Sequence, residues 1–87
     1  MLVEDDPDII AIATLSLQLD PDLVVVAVPN GQSALDRLGE TPRPDLILID
    51  SHLPDMDGVT LSRLISERLT TPIPIAFLTA AVRAADR

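Results

Sequence analysis

Apolar positions along this chain follow two rhythms. Residues 1–3, 23–28, 46–49 and 73–78 are near-continuous runs dominated by Leu, Ile and Val, broken only by Pro74 in the last. Short unbroken runs of this kind suit strands, and 46–49 suits a central one covered on both faces by helices, as in a parallel sheet. Pro74 sits near the start of its run, where a missing N–H is most easily tolerated. Between the runs the apolar residues recur every three to four positions. Ile9, Ile10, Ala13 and Leu17 do so up to about Leu19, then Ala34, Leu35 and Leu38, then Val59, Leu61, Leu64, Ile65 and Leu69. That spacing lays an apolar stripe along a helix.

The punctuation agrees with the periodicity. Asp6 and Pro7 supply an N-cap and a first helical residue, and Asp20-Pro21-Asp22 stops that helix. Pro29-Asn30-Gly31 turns into a second helix over 32–38 with Gly39 as its stop; Gly58 leads into a third, closed by Thr70-Thr71-Pro72. The predicted order is β-α-β-α-β-α-β with connections of a few residues, which argues for one α/β domain over residues 1–87 with a parallel sheet and right-handed crossovers.

Composition narrows the class. At 87 residues the chain forms one small domain that buries about 60–65% of its unfolded surface. Aromatic residues are 1% of the chain, Phe77 alone, so the core must be aliphatic. Without cysteine there is no disulfide, thiolate metal site or cysteine nucleophile. The net charge is −8, with six arginines and no lysine, which argues against nucleic acid or an anionic membrane as a direct partner and is compatible with cation binding. No apolar run approaches the roughly 20 residues that span a bilayer, and the N-terminus lacks the regions of a signal peptide. The expectation is a soluble cytoplasmic protein.

Polar chemistry collects where strands end. Glu4 and Asp5 follow the first strand, Asp50 ends the third, and Thr79 follows the fourth. In an open α/β sheet these positions share the crevice beyond the strand ends. Two like charges about 4 Å apart repel by roughly 4 kcal/mol at an effective dielectric of 20, so such a cluster calls for a proton or a cation. Carboxylate oxygens without His or Cys favour Mg²⁺, and a carboxylate beside Mg²⁺ can attack a phosphoryl group to give an acyl phosphate. Read without further context, Asp50 is equally well a strand terminator, Glu4 and Asp5 an acidic helix N-terminus, and His52 a solvated loop residue. Asp55 and Asp57 read as loop and cap residues, Pro54 and Gly58 as turn residues, and Asp20, Asp22, Asp36 and Glu40 as surface.

Three motifs in order give the chain an identity as a whole: Leu2-Val3-Glu4-Asp5-Asp6-Pro7, then Pro44-Asp45-Leu46-Ile47-Leu48-Ile49-Asp50 with Leu53-Pro54-Asp55-Met56-Asp57-Gly58, then Phe77-Leu78-Thr79-Ala80. Each is weak alone, but together they resemble the receiver domain of two-component response regulators across the whole chain. The resemblance implies a flavodoxin-like sheet of order 2-1-3-4 with helices on both faces. It implies that Asp50 accepts a phosphoryl group from a histidine kinase and that Glu4, Asp5, Asp50 and the backbone carbonyl of His52 hold Mg²⁺. Thr79 matches the hydroxyl that closes on the phosphoryl group, and Ala80 the small residue beside it. An output domain or effector protein would read the phosphorylated state. Beyond self-phosphorylation and autodephosphorylation no enzyme activity is implied.

The departure from the family lies at the end. A receiver continues through a fourth helix, a fifth strand ending in an essential lysine, and a fifth helix, whereas this sequence ends at Arg87 without any lysine. Arg83 and Arg87 are poor substitutes for that lysine. The expectation is an incomplete receiver, a fragment of a longer one; the alternatives are elements supplied by a partner chain in a swapped or paired dimer, and a degenerate domain that folds as it stands. Two other functions compete with phosphotransfer: a pseudo-receiver that dimerises through its exposed strand edge, and a phosphatase or mutase with an aspartyl nucleophile. The last ranks lowest, because such enzymes want a carboxylate two residues past the nucleophile and His52 is there.

Overall fold

The computed structural model describes residues 1–40 and 43–78. In chain order these form β1 (Leu2–Val3), α1 (Pro7–Leu17), β2 (Ala27–Val28), α2 (Gly31–Arg37), β3 (Ile47–Ile49), α3 (Gly58–Arg68) and β4 (Ile75–Phe77). The four strands are parallel and lie in the order β2-β1-β3-β4. This is the expected flavodoxin-like arrangement, with consecutive strands linked through helices as parallel pairing demands.

Register sorts the side chains. Leu2 pairs with Leu48 and Val3 with Ile49. Because successive strand residues point to opposite faces, Val3, Ile47 and Ile49 share one face and Leu2, Leu46 and Leu48 the other. The first face is the core. Val3, Ile47 and Ile49 cluster there with Ala34 and Leu35 of α2 and Leu61 and Ile65 of α3, all buried. Apolar surface buried on this face contributes about 25 cal/mol per Å² to folding.

Among the described residues the second face is covered less completely than the first. Leu46 is 43% exposed and Leu48 half-buried. Helix α1 has one fully buried residue, Ile9, while Ile12 and Leu15 on it are exposed. A cavity of about 320 Å³ on this side is lined by Leu2, Leu17, Leu23, Val25, Leu46 and Leu48, among others.

The helices start where the sequence signals them. Asp6 caps α1 in extended conformation and accepts from the Asp8 amide at 2.9 Å, with Pro7 as first helical residue. Asn30 caps α2 through the Ser33 amide at 2.7 Å, and Asp57 caps α3 through the Thr60 amide at 2.7 Å. Helix α1 ends at Leu17 rather than near Leu19. The Asp20 amide turns back to the Leu17 carbonyl at 3.2 Å, and the residue before Pro21 is poorly suited to a helix.

The expected second strand over 23–28 shortens to Ala27–Val28 because a parallel strand is paired only as far as its neighbour runs, and β1 has two residues. Its outer residues lose the contest between propensity and available partners: Leu23 and Val24 are exposed. The fourth strand likewise contracts from 73–78 to Ile75–Phe77. Among the described residues β4 pairs only with β3, and Ala76 and Phe77 are exposed.

Candidate functional site

The ladder hydrogen bonds carry two acidic residues to the same end of the sheet. The Glu4 amide donates to the Val28 carbonyl at 3.0 Å, and the Asp50 amide donates to the Val3 carbonyl at 3.0 Å. Both residues stand immediately past the carboxyl ends of neighbouring strands, β1 and β3, and both are fully buried. Asp5, next along the chain, is exposed. One carboxylate oxygen from each of Glu4, Asp5 and Asp50 lies within 4.8 Å of the other two.

Local folding fixes this cluster. Glu4 Oε1 accepts from the Asp6 amide at 3.0 Å, so the same carboxylate that faces the cluster also sets the turn from β1 into α1. On the other side, the Gly58 amide donates to the Ser51 carbonyl at 3.0 Å, and His52 and Asp57 form an antiparallel bridge. These contacts close residues 51–57 into a compact loop between β3 and α3. Gly58 is required there because a β-carbon would stand 2.6 Å from the Asp50 carbonyl oxygen.

The donor set is oxygen only, two buried carboxylates and one exposed. That composition fits a hard divalent cation such as Mg²⁺, which keeps some water and takes one or two carboxylates. Without a cation, unit negative charges at this spacing repel by about 3 kcal/mol at an effective dielectric of 20. Asp5 is the exposed member of the set.

Of the residues singled out in the sequence, Glu4, Asp5 and Asp50 are brought together. His52 sits on the loop two residues past Asp50 with its side chain exposed. Thr79, Ala80, Arg83 and Arg87 lie outside the described residues; the ladder is described as far as the Leu78 amide, which donates to the Ile49 carbonyl at 2.9 Å. Asp57 is the cap of α3, as expected. Asp55, read as a loop or local cap residue, reaches much further: its two oxygens accept from the Gly31 and Gln32 amides of α2, each at 2.9 Å. Those donors hold its carboxyl below the ordinary 3.8, Gly31 contributing most. Local capping rules could not find this contact, because its partners are 24 and 23 residues away.

A parallel α/β sheet of order 2-1-3-4, with a carboxylate cup beyond the ends of its two central strands, places the chain among the flavodoxin-like domains with their chemistry at the strand ends. Comparison with known proteins makes this specific. The family model of the response regulator receiver domain matches residues 1–87, and the chain belongs to that family. It is therefore a receiver domain of two-component signalling.

Similar proteins carry the domain in different company. The chain is 40% identical over 76 residues to a protein-glutamate methylesterase/protein-glutamine glutaminase from Nitrosospira multiformis, covering 86% of this chain and 21% of that protein. It is 43% identical over 74 residues to the transcriptional regulatory protein CseB of Streptomyces coelicolor, covering 84% of this chain and 30% of CseB. It is 34% identical over 87 residues to the DNA-binding response regulator MtrA of Mycolicibacterium smegmatis, covering 99% of this chain and 36% of MtrA. The chain thus spans between a fifth and about a third of the length of these relatives, and the methylesterase match does not extend an esterase activity to it. Among the described residues no helix is long and apolar enough to cross a membrane.

Proposed function

We propose that Asp50 is the phosphoacceptor of this receiver domain, taking a phosphoryl group from a histidine kinase. The observation that carries the reading is the convergence of Glu4, Asp5 and Asp50 oxygens within 4.8 Å, with Asp50 buried at the end of a central strand. Glu4, Asp5, Asp50 and the His52 carbonyl would hold Mg²⁺. When bound, the ion offsets the carboxylate charge and that of the incoming phosphoryl group.

The chain's own residues do the rest. An Asp50 carboxylate oxygen attacks phosphorus, a P–O bond forms, the P–N bond of a phosphohistidine breaks, and its electron pair stays on the imidazole nitrogen. Burial of Asp50 limits the water that would hydrolyse the acyl phosphate. Thr79 would donate its hydroxyl to a phosphoryl oxygen, and the state so marked would pass to an output domain or effector protein in the cytoplasm.

The test is incubation with a small acyl phosphate donor with and without Mg²⁺, read by intact mass. Wild type gains one phosphoryl group only with Mg²⁺, and Asp50→Asn gains none. Labelling that persists unchanged in Asp50→Asn would refute the assignment.

A further inference from the structure

We infer that Asp55 is a positioning residue for the cation cup: its carboxylate ties the loop of residues 51–57 to the first turn of α2 and so fixes the backbone that presents His52. The inference rests on the proposed role of Asp50 and its cup, and deepens it.

The hydrogen-bond accounting of α2 leads to it. The first N–H groups of a helix have no partner within the helix. Here the Ala34 amide makes the first helical bond, to the Asn30 carbonyl at 3.2 Å, and the Ser33 amide before it is taken by Asn30 Oδ1 at 2.7 Å. The two that remain, Gly31 and Gln32, both go to Asp55, one to each oxygen. Of the three leading α2 amides, one is therefore capped locally and two by the loop that follows Asp50. A carboxylate suits the task, since two oxygens accept two adjacent amides and negative charge is favoured at a helix N-terminus.

A second, apolar contact lies beside the first. A β-carbon at Gly31 would stand 2.6 Å from Met56 Sδ, so Met56 rests directly on the α2 backbone. The loop is thus held at its base by the Gly58 amide on the Ser51 carbonyl and the His52 and Asp57 bridge, and at its tip by Asp55 and Met56 on α2. His52 is itself a partner in the base bridge, and the tip residues Asp55 and Met56 lie between it and Asp57 in the chain. Releasing the tip leaves the His52 and Asp57 bridge without the support of α2.

A plain capping role would affect the stability of α2 and nothing at the cup. The two roles separate in a Mg²⁺ titration of the full chain followed by amide chemical shifts, with thermal unfolding measured in parallel on wild type, Asp55→Ala, Asp55→Asn and Gly31→Ala. If Asp55 positions the loop, Asp55→Ala weakens Mg²⁺ binding by roughly 10-fold, the lower end of what outer-shell changes do at metal sites. Asp55→Asn, which retains an accepting oxygen, falls between it and wild type. Gly31→Ala, which displaces Met56 without touching the carboxylate, shifts binding in the same direction. Unchanged Mg²⁺ affinity in Asp55→Ala, with Gly31 and Gln32 amide shifts altered, overturns the inference while leaving the cup in place. Absence of any Mg²⁺ response in wild type removes the cup, and the inference with it.

Discussion

A β-carbon at Gly58 would lie 2.6 Å from the carbonyl oxygen of Asp50, with Ser51 Cα and Ile49 Cγ2 each at 3.1 Å. The first residue of α3 and the proposed phosphoacceptor are therefore packed backbone to backbone. Two of the three obstacles are backbone atoms and cannot swing aside. Gly58→Ala is expected to destabilise the domain by about 1–3 kcal/mol, as overpacking does. Urea midpoints of the two proteins check this, and an unchanged midpoint would mean the α3 start can retreat freely.

The core face and the outer surface of the domain should respond very differently to truncation. Leu61→Ala and Ile65→Ala, at fully buried positions against the sheet, are each expected to cost about 2–5 kcal/mol. Leu19 is 85% exposed, and Leu19→Ala should stay within about 0.5 kcal/mol. Equilibrium unfolding of the three variants provides the comparison.

Removing a charge from the cup should raise stability and blunt the response to cation. Asp50→Asn relieves repulsion from Glu4 and Asp5 and is expected to stabilise the metal-free protein by on the order of 1–3 kcal/mol. A site-bound cation stabilises wild type by about 2.7 kcal/mol at a hundred times its dissociation constant, and Asp50→Asn should gain much less. Calorimetry with and without Mg²⁺ reads both. A metal-free midpoint that falls in Asp50→Asn would contradict the repulsion.

Two surface carboxylates give the fold a predictable acid dependence. The Thr60 amide holds the Asp57 carboxyl below its ordinary 3.8, and the Gly31 and Gln32 amides do the same for Asp55. A depressed value in the folded state means that the contribution is complete about a pH unit above 3.8 and is lost as pH falls through the lower folded values. The urea midpoint should therefore decline from about pH 5 downward. Both groups are exposed, so the effect is modest and salt-sensitive. Asparagine keeps the Asp57 cap but does not titrate, so Asp57→Asn should hold its midpoint at neutral pH and show a shallower acid limb.

Much of the architecture was legible because it rests on local patterns. The β-branched run ending in Asp50, the Asp6-Pro7 helix start and the acid pair after Val3 each carry their meaning in a few adjacent residues. Parallel order followed from the alternation of the two rhythms, and Glu4, Asp5 and Asp50 met as that order required. What escaped depends on partners distant in the chain. The extent of pairing over 23–28 is set by the brevity of Leu2–Val3, not by the propensity of its own valines. The exposure of Leu46 reflects how little of its face the described helices cover. The reach of Asp55 to α2 needed the fold before it could be seen.

The solitary aromatic ring has a practical outcome of its own. Phe77, 42% exposed on β4, sits in register with Ile49, the residue before Asp50. The chain has neither tryptophan nor tyrosine and so is nearly silent to ordinary absorbance and emission optics. A fluorinated phenylalanine would nevertheless give a spectrum of one resonance, one rung of the ladder from the acceptor, making this protein its own single-probe magnetic reporter.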